Sequence, residues 1–308
     1  MGSRLRLTLP GWREGDIDAA WRIVEREFDI AEAELTRFDA TSALSRLNRA
    51  VGETVPVPPR LSRALAASWR AFRVTRGIFD PRIVGVLEAA GERAGVDLPP
   101  SPSRLDARHC WLRLDRRRGT ARVDAPIDLG GIGKGLALRW AASALRAAGW
   151  HDYLVQAGGD IVARGHGPAA RPWVVGIDDP RGGGRVLANV ELRDAAIATS
   201  SIAVRRWADE HGQMAHHLID PRSGRPATPI WWSVTVRTRD PAWAEVWSKV
   251  GFLAGAGIAT DLAGVDAWWI GPDSDIHGSP SGCVTHISTA SEAGADRHGV
   301  IGTTASSA

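Results

Sequence analysis

The 308-residue sequence predicts a mixed α/β (α+β) fold, with a helical first half followed by a mixed sheet in one interleaved unit. Three observations lead there. Apolar residues recur at helical spacing up to about residue 93, short alternating stretches take over from about residue 110, and a single helical stretch interrupts those strands. At 44% hydrophobic residues, with 14 tryptophans, the chain has enough apolar surface to bury a substantial core.

Taken in order, residues 3–9 alternate as a short strand. Residues 17–37 place Trp21, Ile23, Val24, Phe28, Ile30 and Leu35 on helical spacing. Helices are expected over 42–50, 60–76 and 83–93, with proline-rich breaks at 55–59 and 99–102. Strands are expected at 111–115, 120–124, 152–156, 172–178, 188–193 and 231–237, and a helix at 134–148. The basic cluster RLDRRRGTARVD alternates on either side of Arg117, Arg118 and Gly119, which reads as a hairpin tip. After VDAWWIG the chain turns small and polar, so residues 273–308 are expected as a flexible tail beyond a domain spanning 1–272.

Charge excludes more than it suggests. The net charge is +3, and no basic stripe interleaved with aromatics appears, so no nucleic-acid partner is expected. Among the 38 basic residues the only lysines are Lys134 and Lys249. The first twelve residues lack the apolar core of a signal peptide, and no apolar run approaches the roughly 20 residues of a membrane span, so a cytoplasmic location is expected. Cys110 and Cys283 offer neither metal-ligand spacing nor a disulfide framework.

The stretch IDLGGIGKGLAL, residues 127–138, wraps glycines around Lys134 between a strand and a helix. It lacks the Ser or Thr that follows the lysine of a nucleotide P-loop, since Gly135 stands there. It also lacks the third glycine of a dinucleotide turn, since Leu136 stands there. Two readings stay open: a loop whose amides and ammonium hold an anion, and a tight strand-to-helix turn. Four other stretches are similarly punctuated: VQAGGDIVARG, AIATSSIAVRR, HHLIDPRSGRP and GIFDPRIVG. Each has a plain reading as turn or capping chemistry.

Together and in order, TSALSRLN (with Ser42 and Asn48), GIFDP, IDLGGIGKG, AGGDI, WVVGIDDP, AIATSS, HLIDPRSGRP and SVTV resemble the ApbE-type FAD:protein FMN transferases. The resemblance covers about 230 residues. It implies a single α/β domain that binds FAD, uses Mg²⁺, and transfers FMN to a Thr or Ser hydroxyl of an acceptor flavoprotein with release of AMP; some relatives hydrolyse FAD instead. It further implies that Asp80, Gly131, Lys134, Gly158, Gly159, Asp160, Thr199, Ser200 and Arg205 face the flavin nucleotide. His217 becomes the candidate general base, because an imidazole titrates near neutral pH. Asp220 joins it as a second catalytic candidate, with orientation of the turn as its simpler role. The metal positions correspond to the carbonyl near Gly133, to Glu245 and to Lys249.

The last two depart from the family pattern, which has Asp and Thr there. An ammonium cannot ligate a metal while protonated. Glu245 and Lys249 also read as an ordinary i, i+4 surface ion pair. Two functions therefore remain: an active transferase or FAD pyrophosphatase, and a FAD-binding protein that has lost metal-dependent transfer.

Overall fold

The computed structural model describes residues 4–11, 14–92, 95–101, 105, 109–203, 206–208, 214–228, 230–255 and 265–278. Strand β1 (Leu5–Thr8) leads into helix α1 (Glu14–Leu35), followed by α2 (Ala43–Arg49), β2 (Val55–Pro56), α3 (Pro59–Val74) and α4 (Val84–Ala89). Then come β3 (Leu112–Asp115), β4 (Thr120–Val123), α5 (Gly133–Ala147), β5 (Tyr153–Ala157) and β6 (Asp160–Arg164). Strands β7 (Trp173–Asp178), β8 (Val186–Leu192), β9 (Ala195–Ser201), β10 (Arg206–Ala208), β11 (Met214–His216), β12 (Ile219–Asp220) and β13 (Arg225–Pro226) come next. The last elements are β14 (Ser233–Thr238), α6 (Pro241–Ala254), β15 (Asp266–Ile270) and β16 (Ile276–Gly278).

The helical first half and strand-rich second half are as expected. The expected mixed sheet resolves as antiparallel at every pairing among the described residues, on the α+β side of the expectation. Strand β16 lies past residue 272, the expected domain limit. Among the described residues, no helix is long and apolar enough to cross a membrane. Cys110 is exposed and carries no disulfide, and Cys283 lies outside the described residues.

The chain divides into two compact units, each assembled from separated stretches: 1–28, 134–203 and 230–308 in the first, 29–133 and 204–229 in the second. The first is built on a seven-stranded sheet in the order β1-β5-β6-β9-β14-β15-β16. Side chains alternate across a strand, so each strand serves two faces. On one face Ile197, Trp268 and Ile270 pack with Trp173, Val175 and Ile177 from the β7–β8 hairpin. Strand β7 shows why: its burial alternates strictly, with Val174 and Asp178 outward. The opposite face is covered by α6, where Gly251 admits Val234 Cγ1 within 3.2 Å of where its Cβ would lie. The Trp269 indole on that face donates to the Gly251 carbonyl at 3.1 Å.

The second unit combines helices α2, α3 and α4 with the three-stranded sheet β2-β4-β3 and the small pairs β10-β11 and β12-β13. Helix α3 starts with Pro59 in its first turn, where a missing N–H costs nothing, and buries Leu61, Ala64, Leu65, Ser68, Ala71 and Phe72 along one face. Asn48, on α2, clamps the backbone entering the glycine loop. Its amide donates to the Ile127 carbonyl at 2.8 Å and accepts from the Ile127 N–H at 3.0 Å.

Candidate active site

The α6-covered face of the first unit carries a cluster of three charged side chains. Lys134, in the first turn of α5, places Nζ 2.5 Å from Glu245 Oε1 on α6 and 2.8 Å from Asp160 Oδ2 at the start of β6. The second Glu245 oxygen accepts the Gly135 N–H at 2.8 Å. Asp160 uses its other oxygen to accept the Thr199 N–H at 3.2 Å. An anion is thus held at the N-terminus of α5 by an amide and an ammonium, the chemistry expected of a helix start. That anion is the carboxylate of the protein's own Glu245.

The glycine next to the lysine has a packing reason as well. A Cβ on Gly135 would lie 2.4 Å from the Pro241 carbonyl oxygen and 2.5 Å from Ala242 Cα, so α5 and α6 touch backbone to backbone there. Helix α6 begins as its sequence suggests, with Asp240 accepting from the Ala242 and Trp243 N–H groups and Pro241 in the first turn. Asp240 also takes the Arg139 guanidinium, at 2.6 Å from Nη2, which ties the same two helices one turn farther along α5.

The electrostatics follow from crowding two carboxylates around one ammonium. Burial works against the Lys134 charge, but Asp160 and Glu245 outweigh it and raise its pKa above the ordinary lysine value. Burial raises the Glu245 pKa, with Lys134 pulling it down and Asp160 pushing it further up. The net result is a locked, positively charged lysine between two acids.

Thr199 and Ser200, expected to offer hydroxyls to the nucleotide, are bonded inside the protein. Thr199 Oγ1 lies 2.8 Å from Thr235 Oγ1, and Ser200 Oγ lies 2.9 Å from Ser248 Oγ, which in turn donates to the Glu245 carbonyl. Gly158 and Gly159, with φ of 58° and 97°, are the two central residues of the hairpin turn that pairs Ala157 with Asp160. A turn with two positive φ values favours Gly-Gly, and it sets the position at which Asp160 enters the sheet. Lys249 is half-buried one turn after Glu245 on α6. Arg205 lies outside the described residues.

The Mg²⁺ that the family resemblance implies is tested by this donor set. Magnesium asks for oxygen ligands in octahedral geometry. Both Glu245 oxygens already accept hydrogen bonds, and Lys249 brings nitrogen, so these two residues do not fit the ion as ligands.

The second unit holds the remaining candidates. Asp80 is buried, and its carboxylate accepts the Arg82 N–H at 2.9 Å and both Nε and Nη2 of Arg82 at 3.0 and 2.6 Å. Asp220 repeats this with Arg222, through the backbone N–H, Nε and Nη2, each at 2.9 Å. Burial would raise the Asp220 pKa, but the hydrogen bonds from Arg222 win and lower it, so it stays a carboxylate rather than a proton donor. His217 is half-buried, just after β11. Its neighbour His216 is buried, with Nε2 3.0 Å from the Ala227 carbonyl and Nδ1 accepting the Leu218 N–H at 3.3 Å. That pattern fixes His216 as the neutral tautomer protonated on Nε2, and burial lowers its pKa. The glycine loop itself is shaped by Asp128, whose Oδ1 accepts the Gly130 N–H at 2.6 Å. Gly131 and Gly133 are buried at its far end, with the Gly133 N–H on the Leu129 carbonyl at 2.7 Å.

Sequence reasoning did not anticipate the Lys134–Asp160–Glu245 cluster, or Arg37, whose guanidinium holds Asp128 and Glu92. The cluster had one signal: a lysine is rare in this chain, and a buried one needs acids.

Comparison with known proteins adds to the geometry. Residues 1–267 match the ApbE family. A protein of Rhodobacter capsulatus named FAD:protein FMN transferase is 33% identical over 243 residues, which are 74% of this chain and 44% of that protein. One of the same name from Haemophilus influenzae is 27% identical over 270 residues, 81% of this chain and 78% of that protein. This chain therefore spans less than half the length of the first relative and over three quarters of the second. Among solved structures, the crystal structure of an ApbE protein from Thermotoga maritima superposes with a TM-score of 0.75 at 25% identity, covering 89% of this chain and 92% of that one.

Proposed function

The chain belongs to the ApbE family, and from that premise we propose that it is a FAD:protein FMN transferase, moving FMN from FAD onto a Thr or Ser hydroxyl of an acceptor flavoprotein with release of AMP. The single observation that carries this reading is the family match across residues 1–267.

In the transfer, the acceptor oxygen forms a bond to the FMN-side phosphorus while the bond from that phosphorus to the bridging oxygen breaks. AMP departs with the bridging oxygen, and the acceptor hydroxyl loses its proton. His217 takes that proton in this reading. An imidazole suits that step because it titrates near neutral pH. The glycine loop offers backbone amides near Gly131 to the nucleotide. Within the first unit, the Lys134 ammonium, held by Asp160 and Glu245, fixes the start of α5 against α6. Asp80 and Asp220 act through the turns they shape rather than on the proton itself. No step is routed through Mg²⁺, because Glu245 and Lys249 do not present an oxygen ligand pair for it.

The test is chromatographic detection of AMP from FAD, alongside covalent flavin fluorescence on acceptor proteins in a denaturing gel. The expected outcome is AMP release that survives chelation by EDTA with only a small loss of rate. FAD bound tightly without any AMP release would favour the reading as a flavin-binding protein, which draws its support from Glu245 and Lys249 at the ligand positions.

A further inference from the structure

Arg37 is among the most buried charged residues of the chain, at 2% exposure, and no motif pointed to it. It lies two residues after the end of α1. Its Nε donates to Asp128 Oδ2 at 2.6 Å and its Nη2 to Glu92 Oε2 at 2.9 Å. Its Nη1 is buried with no hydrogen-bond partner among the described residues. A partly satisfied buried charge is a poor device for stability alone, since a well-packed apolar group would serve as well.

The groups that the guanidinium joins suggest another role. Asp128 is the residue that shapes the glycine loop: Oδ1 takes the Gly130 N–H at 2.6 Å, and its own N–H donates to the Pro81 carbonyl at 2.7 Å. Glu92 closes the turn after α4. The same turn carries the Ala90 carbonyl, which accepts the indole N–H of Trp207. Trp207 pairs with Ala215 across β10–β11, and β11 ends in His216, with His217 next in the chain. One guanidinium therefore connects the glycine loop to the turn on which the histidine-bearing hairpin hangs.

We propose that Arg37 is a positioning residue of the transfer, fixing the glycine loop through Asp128 and the His217 hairpin through Glu92. This rests on the functional reading above. Lysine is a poor substitute at this position, because it lacks the rigid planar fork whose Nε and Nη2 face Asp128 and Glu92 in fixed directions.

The experiment compares wild-type protein with Arg37→Lys and Glu92→Ala, measuring melting temperature, FAD binding by quenching of flavin fluorescence, and kcat and KM for AMP release from FAD. Arg37→Lys is expected to weaken FAD binding about 10-fold and to lower kcat/KM on the order of 100-fold, the scale of a displaced catalytic constellation. Glu92→Ala leaves the Asp128 link intact, so it is expected to lower kcat while the KM for FAD stays near the wild-type value. That split separates positioning from loss of fold. If Arg37→Lys does not fold, Glu92→Ala decides alone. Wild-type parameters in folded variants, or losses that merely follow the melting temperature, overturn the inference and leave the functional reading standing. A wild-type protein that neither binds FAD nor releases AMP sinks the functional reading, and this inference with it.

Discussion

At the scale of single residues, the Asp-Pro dipeptides show how the same local chemistry can read as a site or as a turn. Asp80, Asp179 and Asp220 are each followed by Pro and Arg, and each carboxylate takes the N–H and the guanidinium of the arginine two residues on. Proline fixes φ and removes a donor, so the aspartate is free to bond the next amide. Two of these three aspartates stood among the sequence's site candidates, and the repetition of Asp-Pro-Arg was the available sign of a structural device. Lys134 shows the reverse: its chemistry was legible, but its partners, Asp160 and Glu245, lie far along the chain and were not. Its stabilising role has a definite pH signature. Because its folded pKa is raised, that contribution is present below the ordinary lysine pKa and is lost only as pH rises through the higher folded value. In Lys134→Met, Glu245 loses the cation that pulls its pKa down, and burial raises it further. The folded state then holds a proton more tightly than the unfolded one, so stability falls as pH rises. Denaturant titration should show a loss of about 3–5 kcal/mol at pH 7, partly recovered by pH 5, whereas a pH-independent loss would mean that the acids are not in contact with that ammonium.

At the scale of elements, the helices were legible because their spacing is regular, and the boundaries of α1, α2, α3 and α5 fall within about three residues of the expectation. Among the strands that escaped, two lack a clear alternating signal. Strand β6 follows a Gly-Gly pair that reads as a bend, and β15 is buried at four of its five positions, including the consecutive Trp268 and Trp269, because both faces of the sheet are covered. The glycine loop, open in the sequence between anion loop and tight turn, has features of both: Gly135 is needed for close helix packing, and its amide holds a carboxylate. Gly135→Ala tests the packing half. Helix propensity alone predicts a gain of up to about 1 kcal/mol, but the added methyl would meet backbone atoms of α6 that cannot rotate away. The expected outcome is a net destabilisation of about 1–3 kcal/mol, read from a urea midpoint. An unchanged or higher midpoint would show that α5 and α6 separate easily.

At the scale of the whole molecule, interleaving was legible in the alternation of helical and strand-rich stretches, but the division into two units was not, because each is completed by stretches far apart in sequence. The far end of the first unit was misleading for a local reason. Residues 273–278 look as polar in sequence as residues 279–308, yet β16 supplies main-chain partners to β15, pairing Ile276 with Ile270 and Gly278 with Trp268. Backbone pairing leaves little mark on composition. Around it, the His277 ring meets Trp231 edge-on at 5.1 Å between centroids, and Ser274 donates to Asp179 Oδ1 at 2.8 Å. Residues 273–278 thus belong with the folded unit, and two truncations test this. A chain ending at Gly278 should melt with the full-length protein and bind FAD equally well, since it keeps every one of these contacts. A chain ending at Pro272 strips the edge of β15, leaves Asp179 without its serine, and uncovers part of Trp268. Its melting temperature should drop by about 2–4 °C for each kcal/mol lost. Equal melting of both truncations would show that β16 adds nothing, and a drop already at Gly278 would show that residues 279–308 dock on the domain.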